Sequence, residues 1–127
     1  MNNENIEERI KELNIEDFIW TIYIGIIFLS FYSNNIERKY FLSKEKKFKV
    51  KYRTINIIIF SILLIVYLYF LNSSINDLKK LKQSDNEAKK KLIYLSFIAS
   101  LCITISGLIF LYIALKDQNL DVELAFN

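Results

Sequence analysis

The stretch LIYLSFIASLCITISGLIFLYIAL, residues 92–115, decides the fold. It runs for 24 residues without an Asp, Glu, Lys or Arg. At about 1.5 Å per residue a helix of that length covers about 36 Å, enough to cross a hydrocarbon core of about 30 Å with some tilt. Two shorter runs of the same character precede it, IIIFSILLIVYLYFL at 57–71 and FIWTIYIGIIFLSFY at 18–32. The charged residues, 24% of the 127, fall between and outside the three runs. An ionised side chain at the centre of a span costs about 2.5–3.5 kcal/mol on insertion scales, so this distribution is what lipid-facing helices require. The expectation is an all-α integral membrane protein with three transmembrane helices, the second and third forming an antiparallel helical hairpin.

The chain divides accordingly into a single membrane domain over 1–127. Residues 1–17 read as an acidic amphipathic helix: Ile6, Ile10 and Leu13 recur at helical spacing, Glu4, Glu7 and Glu8 lie where the helix dipole favours anions, and Asn14 is the expected stop. This segment is expected to be solvated, or to dock on a partner or on the chain's own basic loop. Span 1 occupies 18–35, a basic loop 36–53, span 2 54–72, a helical turn region 73–91, span 3 92–115 and a polar tail 116–127. The first run is the shortest, about 22 Å, and Ser33, Asn34 and Asn35 are expected to extend it into the headgroups. It reads as a retained span, because acidic residues precede it and no small-residue cleavage site follows.

In the turn region, Ile75, Leu78 and Leu81 continue the stripe of span 2, and Ser84-Asp85-Asn86-Glu87 matches a capping box that starts the next helix. Glu87 is placed to pair with Lys90 and Lys91. There is no proline, and the only two glycines, Gly25 and Gly107, lie within spans, so unbroken helices are expected. Three antiparallel crossings bring Trp20, Tyr23, Tyr67, Tyr69 and Tyr94 near one surface and Tyr32, Tyr52 and Tyr112 near the other, as two interfacial belts.

Orientation rests on a narrow balance. The loop from Ser33 to Arg53 holds eight Lys/Arg and the N-terminal tail two, which places the N-terminus outside and the C-terminus in the cytoplasm. The six lysines of 72–91 pull the other way. Net charge separates the sides further, +4 for the first loop with the C-terminal tail against −1 for the N-terminal tail with the second loop. A re-entrant span 2, or insertion in both orientations, fits the same balance.

Reactive groups are scarce. There is no histidine, which removes the commonest general base and metal ligand, so no catalytic, metal or cofactor residues are assigned and no enzymatic activity is expected. The single cysteine, Cys102, lies in span 3 and reads as a small packing residue. The spans carry no ionisable carboxylate or amine, which argues against a small transporter. Glu16 and Asp17 read as markers of the water boundary.

Two residue sets remain. Ser96, Ala99, Ser100, Thr104, Gly107 and Ala114 give span 3 a small-residue face, with a smaller one at Thr21 and Gly25 on span 1. Such faces allow close helix approach, within the bundle or to another chain. Lys44, Lys46, Lys47, Lys49, Lys51 and Arg53, interleaved with Phe48 and Tyr52, are expected to contact lipid headgroups, each adding about 1 kcal/mol at an anionic surface. The expected partners are the bilayer and either a second copy or a larger membrane protein, with no nucleic acid. The leading function is a non-catalytic interaction or accessory subunit. The alternatives are a membrane-permeabilising oligomer of the holin or small-toxin kind and, behind it, a small dual-topology transporter.

Overall fold

The structure is a computed structural model that describes residues 3–122, with side chains from residue 5 onward. It consists of three helices, α1 (Asn3–Ser43), α2 (Lys46–Lys79) and α3 (Glu87–Lys116). All three are long and apolar enough to cross a membrane. The chain is a small membrane protein of all-helical class, and α2 and α3 form the antiparallel hairpin.

The helices are longer than the spans that the apolar runs mark out. α1 has 41 residues, α2 34 and α3 30, or about 60, 50 and 45 Å. Each therefore projects beyond the hydrocarbon. Asn14 does not stop the first helix, and the acidic segment and span 1 form one rod. A lone Asn costs only a few tenths of a kcal/mol in a helix with strong formers on either side, too little to break it.

The basic loop is also mostly helix. Only Lys44 and Glu45 separate α1 from α2, because Arg and Lys are good helix formers and no Gly or Pro interrupts them. The reversal is made by Lys44, at φ 59° in the left-handed region, with its amide donating to the Tyr40 carbonyl at 2.7 Å. α2 is unbroken from 46 to 79, which leaves no re-entrant turn in span 2.

The second reversal differs from the capping box expected at Ser84. α3 is capped by Asn86, whose side-chain oxygen accepts from the Lys89 amide at 2.7 Å. Ser84 and Asp85 are used in the turn itself, where Asp85 Oδ2 accepts from the Lys82 amide at 2.8 Å. Glu87 does pair with Lys90, at 3.5 Å.

α2 is the central element. Both α1 and α3 pack along it, and among the described residues their backbones do not approach one another. Side chains at alternating three- and four-residue steps make the seams. On α1 they are Glu12, Glu16, Ile19, Tyr23, Ile26, Ser30 and Ser33, and on α3 Ile93, Phe97, Ser100, Thr104, Gly107, Leu111 and Ala114, all buried or half-buried. That 3.5-residue average keeps a seam facing its neighbour in a left-handed bundle.

The packed core lies toward the Lys44 turn and the C-terminal end of α3, formed by Ile36, Tyr52, Ile55, Ile59, Phe60, Leu63 and Ala114. Tyr52, expected in an aromatic belt, is only 4% exposed and belongs to this core. Two polar contacts fasten the same end. Ser33 Oγ donates to Asn56 Oδ1 at 2.9 Å, joining α1 to α2, and both residues are buried. Arg53 donates from Nε to the Asp117 carbonyl and from Nη2 to the Leu115 carbonyl, at 3.1 and 3.2 Å. These acceptors are backbone oxygens at the C-terminus of α3, of the kind a helix end leaves unpaired. Glu8 pairs with Lys80 at 3.1 Å at the opposite end of the bundle. The start of α1 therefore lies beside the α2–α3 turn, and the end of α3 beside the start of α2.

Candidate functional site

Because α1 and α3 meet α2 without meeting each other, a cleft opens between them, over α2, at the N-terminal end. It encloses about 380 Å³ and is lined from α1 by Arg9, Glu12, Glu16 and Tyr23, from α2 by Tyr67, Phe70, Ser73, Ser74 and Asp77, and from α3 by Ser96, Ser100 and Ile103. The polar lining follows from register. The α1 seam that is apolar at Ile19 and Ile26 carries carboxylates when continued to Glu16 and Glu12. Serines occupy the matching levels of α2 and α3.

The groups in the cleft are organised. Arg9 Nη1 lies 3.0 Å from Glu12 and 3.5 Å from Glu16. The hydrogen bond from Arg9 to Glu12 and the charge of Glu16 hold the guanidinium pKa above its ordinary value. At the floor, the Ser74 and Ser100 hydroxyls are 2.8 Å apart and share a hydrogen bond. Thr104 Oγ1 donates back to the Ser100 carbonyl at 2.8 Å. Beside the rim, the hydrogen bond to Glu8 raises the pKa of Lys80. Among the described residues no three His, Cys, Asp or Glu side chains gather as metal ligands would.

Tyr67 stands at a junction. With Tyr23 it also lines an apolar groove of about 420 Å³ between α1 and α2, with Ile26, Phe31, Ile59 and Leu63. With Ile103 it lines a second groove, of about 450 Å³ between α2 and α3, with Phe60, Cys102, Gly107 and Phe110. Gly107 makes the ring's position possible, since a Cβ there would stand 2.9 Å from Tyr67 Cδ2. Cys102, expected as a packing residue, is exposed at the edge of this groove, because it falls between the seam positions Ser100 and Thr104.

The residues expected to form a small-residue face fall in different surroundings. Thr104, Gly107 and Ala114 are buried, and Ser100 half-buried, against α2. Ser96 lies at the cleft rim and Ala99 is exposed. Thr21 and Gly25 are exposed on α1; Thr21 bonds back to the Asp17 carbonyl at 3.1 Å, and nothing lies within 4 Å of where a Gly25 Cβ would be.

In the basic set, Lys44, Lys46, Lys47 and Lys51 are exposed and Lys49 and Arg53 half-buried. Arg53 is turned inward onto α3. Lys51 sits over the Tyr32 ring at 5.1 Å, and Lys47 pairs with Glu45 at 3.1 Å.

The cleft as a site was missed by reading Glu16 as a boundary marker. The signal for it was available: the three-and-four spacing of the α1 seam runs straight from Tyr23 and Ile19 into Glu16 and Glu12. Searches for relatives give no further guide, since no protein family, no curated protein and no solved structure matches the chain.

Proposed function

We propose that this protein is a non-catalytic accessory subunit that docks on a larger membrane protein through α1. The observation that carries the reading is the exposure of Ile6, Ile10 and Leu13, at 43%, 52% and 43%. These residues precede span 1 by up to 12 positions, or about 18 Å of helix, beyond the reach of the lipid chains that cover exposed aliphatics within a span. The half-buried side chains of the same segment are the polar Glu12 and Glu16. A partner helix laid along α1 would cover the aliphatic stripe and continue over the exposed Trp20, Ile24 and Ile27 on the same face. The absence of histidine from the sequence supports a non-catalytic role.

The favoured orientation has the N-terminus outside, with the exposed lysines of the Lys44 turn against cytoplasmic headgroups. A permeabilising oligomer fits less well. The polar lining ends near Tyr67 and Ser100, and Phe60, Leu63 and Phe110 occupy the helix interfaces beyond it.

Photo-crosslinkers placed singly at Ile10 and at Leu108, which faces lipid on α3, test the reading in native membranes. A discrete adduct from Ile10, absent from Leu108 and lost in Ile6→Asp or Leu13→Asp, is the expected outcome. Identical adduct patterns from both positions would exclude docking through α1.

A further inference from the structure

We propose that the cleft and its two grooves form a binding site for one phospholipid with a primary-ammonium headgroup, of the phosphatidylethanolamine class. Polar and apolar parts of the site are continuous at one end of the bundle. Arg9, Glu12, Glu16, Ser73 and Asp77 lie just outside the apolar runs, at headgroup level. Tyr23 and Tyr67 lie about one turn inside them, and Ser100 and Ile103 two to three turns inside span 3. From this cavity two apolar grooves of similar size diverge, one reached past Tyr23 and Tyr67 and the other past Tyr67 and Ile103. Both lie at span depth, where acyl chains are the solvent. One polar chamber opening into two apolar channels has the shape of one headgroup above two chains.

Charge selects the headgroup. The chamber holds three carboxylates, Glu12, Glu16 and Asp77, against one cation, Arg9, whose guanidinium already lies against two of them. An anionic lipid is repelled by that balance. A zwitterionic lipid can place its ammonium among the carboxylates, where three N–H donors meet charged acceptors. A choline headgroup carries the same charge without a donor, and is the discriminating comparison. Asp77 is the most accessible acceptor, exposed where Glu12 and Glu16 are half-buried; Lys80, one turn along the helix, is hydrogen-bonded to Glu8, and the charges of Glu12 and Asp77 also act on it.

Trp20, the only tryptophan, supplies the reporter: its ring meets Tyr23 edge to face with centroids 5.5 Å apart. The full chain is reconstituted into phosphatidylcholine vesicles containing equal mole fractions of chain-brominated ethanolamine, choline or glycerol phospholipid, and Trp20 quenching is measured. The expected result is about fivefold enrichment of the ethanolamine lipid over the other two, the scale of one charge-assisted contact at a membrane surface. Glu16→Gln with Asp77→Asn should abolish the preference, and Asp77→Asn alone, at an exposed position, should weaken it. Glu87→Gln, acidic and exposed at the same end but outside the cleft, should leave it unchanged, and helical circular dichroism identifies any variant that fails to fold. Equal quenching by the three lipids, strongest quenching by the glycerol lipid, or a preference that survives the double change would each overturn the proposal. So would displacement by soluble glycerophosphoethanolamine as effective as by the lipid, which would assign the cleft to a free amine.

Discussion

The two ends of the bundle are built from the same helices in the same seam register, yet one is closed and the other open. At the closed end, Ile36, Tyr52, Ile55, Ile59 and Ala114 fill the space between helices, and Ser33–Asn56 and Arg53 fasten α1 and α3 to α2. At the open end the seam positions are Glu12, Glu16, Ser74 and Ser100. The outer contact there is an exposed ion pair, Glu8–Lys80. Helix packing in lipid gains little from burying apolar surface, since lipid is equally apolar, and depends on close fit and satisfied polar groups. Where side chains fit, the helices close. Where the seam carries charged groups, a cleft remains between α1 and α3.

The largest effect is expected at the junction of the two ends. Gly107→Ile drives a branched side chain into Tyr67 and should destabilise the protein by about 3 kcal/mol, measured by thermal unfolding in mild detergent. Gly25→Ile, where nothing lies within 4 Å of the added Cβ, should fall within about 0.5 kcal/mol of the parent. Equal losses at the two glycines would break the distinction between a packed and an unpacked glycine.

At the closed end, Asn56→Leu leaves the Ser33 hydroxyl buried without the acceptor it now uses, and should cost about 1–2 kcal/mol. Adding Ser33→Ala should restore most of that loss, since removing both partners removes the unmet polar group. An additive double variant would mean that the hydrogen bond does not hold α1 in place. Arg53→Gln withdraws a charged donor from the end of α3 and should cost about 1 kcal/mol, with faster hydrogen exchange in the last turn of α3. Lys at the same position should rescue only in part, because it lacks the planar fork that reaches two carbonyls.

The smallest effect belongs to the open end and depends on pH. The Asp85 carboxyl sits below its usual pKa because it accepts the Lys82 amide, helped by Lys89. A carboxylate depressed in the folded state stabilises above its unfolded pKa and loses that contribution as pH falls through the folded value. Stability should therefore drop slightly between about pH 5 and 3, and Asp85→Asn should flatten that part of the profile. An unchanged profile in Asp85→Asn would remove the turn as its source.

Much of this was legible in the residues. Three uncharged runs between charged segments are enough to specify helices, because lipid leaves the backbone no partner but itself. The antiparallel order followed from the short connections between crossings. The positions of Thr104, Gly107 and Ala114 against α2 were one of two readings of the small-residue face. The ends of the helices were less legible. Asn14 and the lysine-rich 36–53 carry ordinary polar signals that the helix absorbs, and the choice between Ser84 and Asn86 as cap turns on a shift of two residues.

By itself, the sequence determined the solvent of this protein and the number of its crossings, since both depend on where charge is missing, which is a property of the chain in one dimension. Only the tertiary structure decided that Arg53 faces α3, that Tyr67 rests on Gly107, and that Arg9, Glu12, Glu16 and Asp77 share a chamber. Those facts depend on how helices from distant parts of the chain are rotated about their axes. That rotation is set by the joint fit of three surfaces, which no single segment encodes.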